Sequence, residues 1–219
     1  MSTVLRHTGI ETGAQRLPAQ PVFDYVALTA ALGNYKRPRD RITRLLRSGD
    51  ILRLKKGLYC HAAAIETGAL SKELIGNLLY GPSYVSLQTA LAIHRLIPER
   101  VHHVTSVTTG KAKRYITPVG AFIYRSVPVA YYWRGVELAG TQPFSAYLRA
   151  TAEKALADTV YFSSGIESVA DARTFLLADL RIETESLRSL DAALFAEIAQ
   201  VAGKRSLLRV AELLREVGA

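Results

Sequence analysis

Cysteine is almost missing from this chain: Cys60 is the only one in 219 residues. That excludes an intramolecular disulfide framework and a cysteine-built zinc site, and five scattered histidines add little to a metal case. No apolar run approaches the roughly 18 residues needed to cross a bilayer. The opening MSTVLRHTG has no basic start followed by an apolar core, so the expectation is a soluble, cytoplasmic protein with no membrane partner. Phosphate-binding GxxxxGK, metalloprotease HExxH, nucleophile-elbow GxSxG and glycine-rich dinucleotide patterns are all missing. No enzymatic activity, catalytic residue, metal or cofactor is expected. What remains, 49% hydrophobic and 21% charged residues, suits one or two globular domains rather than a disordered tail.

Acidic residues are scarce in the front of the molecule. Residues 1–135 carry 19 basic and 7 acidic side chains, a net of +12, whereas residues 136–219 carry 9 and 12, a net of −3. The excess is densest over residues 34–58, where nine basic side chains face only Asp40 and Asp50. Net charge by itself does not separate nucleic acid from other polyanions, but its placement on particular elements is more informative.

Asp24 is suited to cap a short helix with Val26, Leu28, Ala31 and Leu32 as its buried stripe, stopped by Gly33–Asn34. Pro38 then fits the first position of a second helix, with Ile42, Leu45 and Leu46 on one stripe and Arg37, Arg41 and Arg44 on another. Gly49–Asp50 closes it, and residues 51–54 and 57–59 read as two strands of a hairpin tipped by Lys55-Lys56-Gly57. Helix, tight turn, basic helix and basic-tipped hairpin together predict a winged helix-turn-helix over residues 1–62. A helix of this kind fits the major groove while the hairpin approaches phosphates. The candidate base-edge contacts are Arg37, Arg41 and Arg44, with Tyr35 or Thr43 as a further one. The candidate phosphate contacts are Lys36, Arg39, Arg47, Lys55 and Lys56. Leu54 and Leu58 are expected to close the small core beneath the hairpin. The stretch from Ser2 to Leu17 offers an irregular first helix, weakened by Gly9 and Gly13.

Three segments carry a family resemblance: LTAALGNYKRPRDRITRLLRSGDILRLKKGLYC at the front, GPSYVSLQTALAIHRLIP in the middle and ATAEKALADTVYF near residue 150. In that order, and covering most of residues 22–165, they resemble the AbiEi-type antitoxin and transcriptional regulator family of type IV toxin–antitoxin systems. The resemblance implies a front domain that binds double-stranded DNA and represses its own promoter at inverted repeats; a homodimer on DNA is attractive because two copies can read such a repeat. It also implies a rear domain that counters a nucleotidyltransferase toxin without forming a stable complex with it. A stand-alone winged-helix regulator with a ligand- or partner-sensing rear domain is the alternative, and a protein-binding adaptor is a third class.

Residues 70–219 read as a second, mixed α+β domain with a helical C-terminal part. Ser71 to Leu79 is expected to be helical, with Ser71 as its cap, and Gly81–Pro82 to break the chain. A further helix is expected over Ser83–Ile97, placing Val85, Thr89, Ile93 and Leu96 on one side. Ser86, Gln88 and His94 take structural roles there. Short strands are expected at 104–108, 115–117, 121–127 and 136–138. Lys111, Lys113 and Arg114 fall in or around a turn, as DNA-backbone contacts or as solubilising charges. His102 and His103 are adjacent in an extended segment and point to opposite faces, which disfavours joint capture of a metal with Glu99. Tyr131, Tyr132 and Trp133 suit a core or domain-interface role. Glu153, Lys154 and Asp158 are expected on the exposed face of a helix running toward Phe162. Segments 168–180, 189–201 and 204–216 show helical periodicity.

Overall fold

The computed structural model describes residues 11–12, 15–33, 35–140 and 145–218. It is a mixed α+β protein whose chain divides into two compact units, residues 1–75 with 117–119 and residues 76–116 with 120–219. Among the described residues, no helix is long and apolar enough to cross a membrane.

The first unit begins with two short paired strands, β1 (Glu11–Thr12) and β2 (Gln15–Arg16). The helix read over residues 2–17 is therefore not present at 11–12 and 15–16, where the backbone forms an antiparallel ladder; the rest of that stretch before Leu17 lies outside the described residues. After β3 (Val22–Asp24) comes α1 (Tyr25–Leu32), whose N-terminus is satisfied by the Asp24 carboxylate accepting from the Ala27 amide at 2.8 Å. Its inward side is Leu28, with Ala27 and Leu32 partly covered. Val26 is 70% exposed and does not belong to the buried stripe. An eight-residue helix this apolar on every side gives no clear inward face from spacing alone.

Helix α2 (Pro38–Ser48) opens with proline in its first turn and ends at Gly49, whose φ of +81° is the left-handed geometry that favours glycine. Asn34 lies outside the described residues. Strands β4 (Ile51–Lys55) and β5 (Leu58–His61) form an antiparallel hairpin, and the sheet order is β3-β5-β4. The Tyr25 amide donates to the Gly57 carbonyl at 3.0 Å and ties the hairpin tip to the start of α1. Leu17, Phe23, Leu28, Ile42, Leu45, Ile51 and Tyr59 fill the core, and Leu54 and Leu58 are also buried. Burial pushes the Cys60 thiol up to about 11, so this cysteine is a packing residue. Helix α3 (Ala62–Glu66) follows, then α4 (Lys72–Leu79), at whose start the Leu74 amide donates to Ser71 Oγ at 3.0 Å.

The second unit is built on a six-stranded mixed sheet. Its strands are β6 (Ser83–Val85), β7 (Val104–Thr108), β8 (Lys113–Thr117), β9 (Gly120–Ser126), β10 (Val136–Ala139) and β11 (Tyr147–Ala150), in the order β10-β11-β6-β7-β9-β8. The helices between and after them are α5 (Leu87–Ile93), α6 (Val129–Tyr132), α7 (Ala152–Tyr161), α8 (Val169–Thr174), α9 (Thr184–Arg188), α10 (Ala192–Ala202) and α11 (Arg205–Gly218). Helix α7 packs against α5, α10 and α11, and its residues lie at the centre of the larger core.

Two expectations are corrected here. Residues 83–85 are a strand, not the start of a helix, and β6 is buried along its whole length. A short apolar run covered on both faces has no alternation to distinguish it from helix. The stretch 168–180 is not one α-helix: α8 passes at Phe175 into a π-helical turn through Asp179.

Four tyrosines, Tyr84, Tyr124, Tyr131 and Tyr132, are almost completely buried. Burial pushes all four phenols up, Tyr132 to about 12, and the Asp158 carboxylate adds to the rise at Tyr84 and Tyr131. In the unfolded chain they release their protons near pH ~10. Above that pH the folded state therefore holds more protons than the unfolded one, and stability falls as pH rises, by up to about 1.4 kcal/mol per pH unit for each phenol. The Lys154 ammonium, which burial pushes down, works in the opposite direction but only up to its unfolded value near ~10.4. In an alkaline titration, part of the tyrosinate absorbance should appear only together with loss of near-ultraviolet circular dichroism. Full ionisation near pH ~10 with the fold intact would contradict the packing described.

Candidate nucleic-acid interface

The orientation of α2 is set by its apolar side. Ile42 and Leu45 are buried in the core of the first unit, and at about 100° per residue everything opposite them faces solvent. Asp40, Arg44 and Arg47 lie along that outer line. Arg39 and Thr43 lie on the flank toward the hairpin, and Arg37 and Arg41 on the flank toward the turn. Lys36, Arg37, Arg39, Thr43, Arg44, Arg47 and Lys56 are exposed, whereas Arg41 and Lys55 are half-buried.

Each flank borders a groove. On the hairpin side, Arg39, Ile42 and Thr43 of α2 share a cavity of about 560 Å³ with Arg53, Lys56, Gly57 and Tyr59 of the hairpin and with Tyr25. Its apolar floor and cationic lining come from three different elements. On the turn side, Tyr35, Lys36, Arg37, Asp40, Arg41 and Arg44 line a second cavity of about 480 Å³. The Arg41 guanidinium lies 6.0 Å from the Tyr35 ring centroid, and its Nε is buried without a hydrogen-bond partner. Thr43 donates its hydroxyl proton to the Arg39 carbonyl at 2.9 Å, which leaves its methyl and oxygen lone pairs for any external contact. Among the described residues, the cationic face of α2 carries one ion pair, Arg37–Asp40 at 3.9 Å between exposed side chains, too loose and solvated to neutralise it.

Arg53 belongs to this surface although its charge alone does not mark it in the sequence. Strand alternation does not reveal it either, because Ile51, two residues earlier, would share its face and yet is buried while Arg53 is exposed; the guanidinium lies 6.0 Å from the Tyr59 ring centroid. Tyr59 itself is 5% exposed and stacks on Phe23 with ring centroids 6.4 Å apart.

The candidates in the second unit are less concentrated. Lys111, Lys113 and Arg114 are exposed, Lys111 just before β8 and the other two at the start of that edge strand. The Lys113 ammonium sits 5.0 Å from the Tyr80 ring centroid and 5.3 Å from that of Tyr115. His102 and His103 are exposed, and Glu99 is paired with Arg181. Among the described residues, no group of three metal-ligating side chains comes together. Tyr131 and Tyr132 are core residues, while Trp133 is 62% exposed and meets Tyr132 edge-on. His94 Nε2 lies 2.9 Å from the Ala150 carbonyl oxygen.

The Glu153–Asp158 segment requires the largest correction. It is not an exposed charged face: Lys154 and Asp158 are completely buried and Glu153 is 9% exposed. Lys154 Nζ lies 3.0 Å from Asp158 Oδ1, donates to the Tyr131 carbonyl at 2.9 Å, and sits 3.2 Å from the Tyr131 ring centroid. Asp158 Oδ2 accepts from Ser86 Oγ at 2.6 Å and from the Tyr84 hydroxyl at 3.0 Å. Ser86 therefore precedes α5 without capping it through its side chain, because its hydroxyl is engaged elsewhere. Glu153 Oε1 accepts from the Asp191 amide at 3.0 Å, at the start of α10. Through these bonds α7 fastens β6, α6 and the entries to α5 and α10. The signal in the sequence was the i,i+4 spacing of Lys154 and Asp158 around Ala155, Leu156 and Ala157.

No family model matches this chain, and no curated protein matches it.

Removing one member of a buried, hydrogen-bonded ion pair strands the other. Asp158→Ala should cost about 3–5 kcal/mol in urea unfolding, and the double variant Lys154→Met, Asp158→Leu should cost clearly less. A loss for Asp158→Ala within the ~0.5 kcal/mol of ordinary surface substitutions would contradict the pairing.

Proposed function

We propose that the first unit is a winged helix-turn-helix that binds duplex DNA in a sequence-specific manner, and that the protein is a transcriptional regulator. In this reading α1 is the supporting helix, α2 the recognition helix and the β4–β5 hairpin the wing. The observation that carries it is the groove lined jointly by α2 and the hairpin, where Arg39, Arg53 and Lys56 surround an apolar floor. An α-helix has the diameter of the major groove, and cations on both of its flanks suit the two phosphate backbones that border that groove.

Within this reading the roles of the arginines divide by position. Arg44, on the outer line of α2, and Thr43, on its hairpin flank, are the base-edge candidates, and Arg37 and Arg47 accompany them. Arg41 is half-buried beside Tyr35, which suits a backbone contact better than a base contact. Lys36, Arg39, Lys55 and Lys56 are phosphate contacts. Lys111, Lys113 and Arg114 are retained as backbone candidates on charge and exposure alone.

The autorepressor and antitoxin roles rest on the sequence resemblance. An operator of inverted repeats read by a homodimer requires half-sites roughly 34–36 Å apart, one helical turn. Growth rescue on co-expression with a nucleotidyltransferase toxin supports the antitoxin role, whereas repression without rescue leaves a stand-alone regulator.

Duplex binding is tested by selecting preferred sites from a random duplex pool and measuring affinity against salt. Counterion release should give a slope of log K on log salt of about −0.9 per neutralised phosphate, near −5 for about six contacts. Arg44→Ala should weaken the preferred site by about 1–3 kcal/mol and relax its specificity while thermal stability is unchanged. Salt-independent binding, or equal affinity for all duplexes in wild type and variant, would contradict the proposal.

A further inference from the structure

We propose that the groove between α2 and the β4–β5 hairpin seats one deoxyribose–phosphate strand of the duplex, with Arg53 as its central phosphate contact and Tyr59 as the residue that positions Arg53. This rests on the duplex-binding reading above and adds to its phosphate contacts a residue that reading gives no role, Arg53, together with the ring that holds it.

The chemistry of the lining matches a sugar–phosphate strand better than bare anion or bare hydrocarbon. Ile42 and the rings of Tyr25 and Tyr59 give an apolar floor, against which the C–H faces of a deoxyribose pack. Arg39, Arg53 and Lys56 bring three positive charges from α2, a strand and the hairpin tip to the same groove. Among the described residues, none of the three has an acidic partner. The cavity, about 560 Å³, is within the ~300–1,000 Å³ range of sites that enclose a small molecule. A sugar with its flanking phosphate is of that class.

Arg53 differs from the hairpin-tip lysines in how it is held. Its guanidinium lies 6.0 Å from the Tyr59 ring centroid, and that ring is fixed by burial and by stacking on Phe23. A planar guanidinium kept beside a fixed ring loses less freedom on meeting phosphate than a lysine at a loop tip, and its fork of donors binds two phosphate oxygens at once. Two sources can supply a nucleoside phosphate, a duplex strand or a free nucleotide. The proposal commits to the duplex strand because the same groove is walled by Arg39 and Thr43 of the recognition helix.

The test measures duplex affinity against salt for the full chain and for Arg53→Ala, Arg53→Lys, Tyr59→Leu, the double variant Arg53→Ala, Tyr59→Leu and Arg44→Ala, with thermal stability recorded for each. Arg53→Ala should weaken preferred and non-preferred duplexes alike, by about three- to tenfold, and make the salt slope shallower by about 0.9. Arg53→Lys should keep the slope and recover only part of the affinity, because charge returns without the planar fork. Tyr59→Leu removes the ring and should weaken duplex binding in the wild-type background but add nothing in the Arg53→Ala background; a loss of equal size without Arg53 would contradict the positioning role. If Arg44→Ala is impaired while Arg53→Ala matches wild type in affinity and slope, the strand seat is wrong and the duplex-binding reading stands. If wild type binds no duplex, both fall. Thymidine 5′-monophosphate is the remaining probe: binding that Arg53→Ala abolishes, with duplex affinity untouched, would make the groove a free-nucleotide site and overturn the proposal.

Discussion

Burial of Ile42 and Leu45 in the small core of the first unit is the constraint on which the candidate surface depends. Each contributes about 1.5–3 kcal/mol relative to exposure, so rotating α2 to hide its arginines would expose both and leave cations in an apolar core. Pro38 and Gly49 fix where the helix starts and stops, and the core fixes its rotation. The cationic arc is therefore a consequence of packing, not an accident of side-chain choice. The hairpin is anchored to the same core through Ile51 and Tyr59, so Arg53 and Lys56 are held at one flank of α2.

The second unit solves a different problem. Its central helix carries a lysine and an aspartate where solvent does not reach, and desolvating two such charges offsets much of their attraction. The pair is matched by donors and acceptors from Ser86, Tyr84 and the Tyr131 backbone, which turns an expensive burial into a cross-link among four elements. Such a network favours one packing of α7 over a slipped alternative, because any displacement leaves a charge without its partner.

Much of this was readable from residue order. The Asp24 cap, the α2 boundaries, the hairpin and strand β7 at 104–108 follow from local chemistry that tertiary contacts do not override. What was misread lies where tertiary burial decides. Ser83-Tyr84-Val85 carries no alternation because both of its faces are covered, so it resembled the start of a helix. Lys154 and Asp158 looked like solvated charges because their partners are some 20 to 75 positions away in the chain. Arg53 was hidden for the opposite reason: it sits in a strand, among hydrophobic residues, and only the groove reveals what it faces.

The most direct measurement is backbone amide NMR of the full chain titrated with its selected duplex. If α2 and the hairpin form a single nucleic-acid surface, the largest shift changes cluster at residues 36–47 and 53–57, while amides around Lys154 and Asp158 stay in place. Shifts centred elsewhere, with α2 and the hairpin unaffected at saturating duplex, would contradict it.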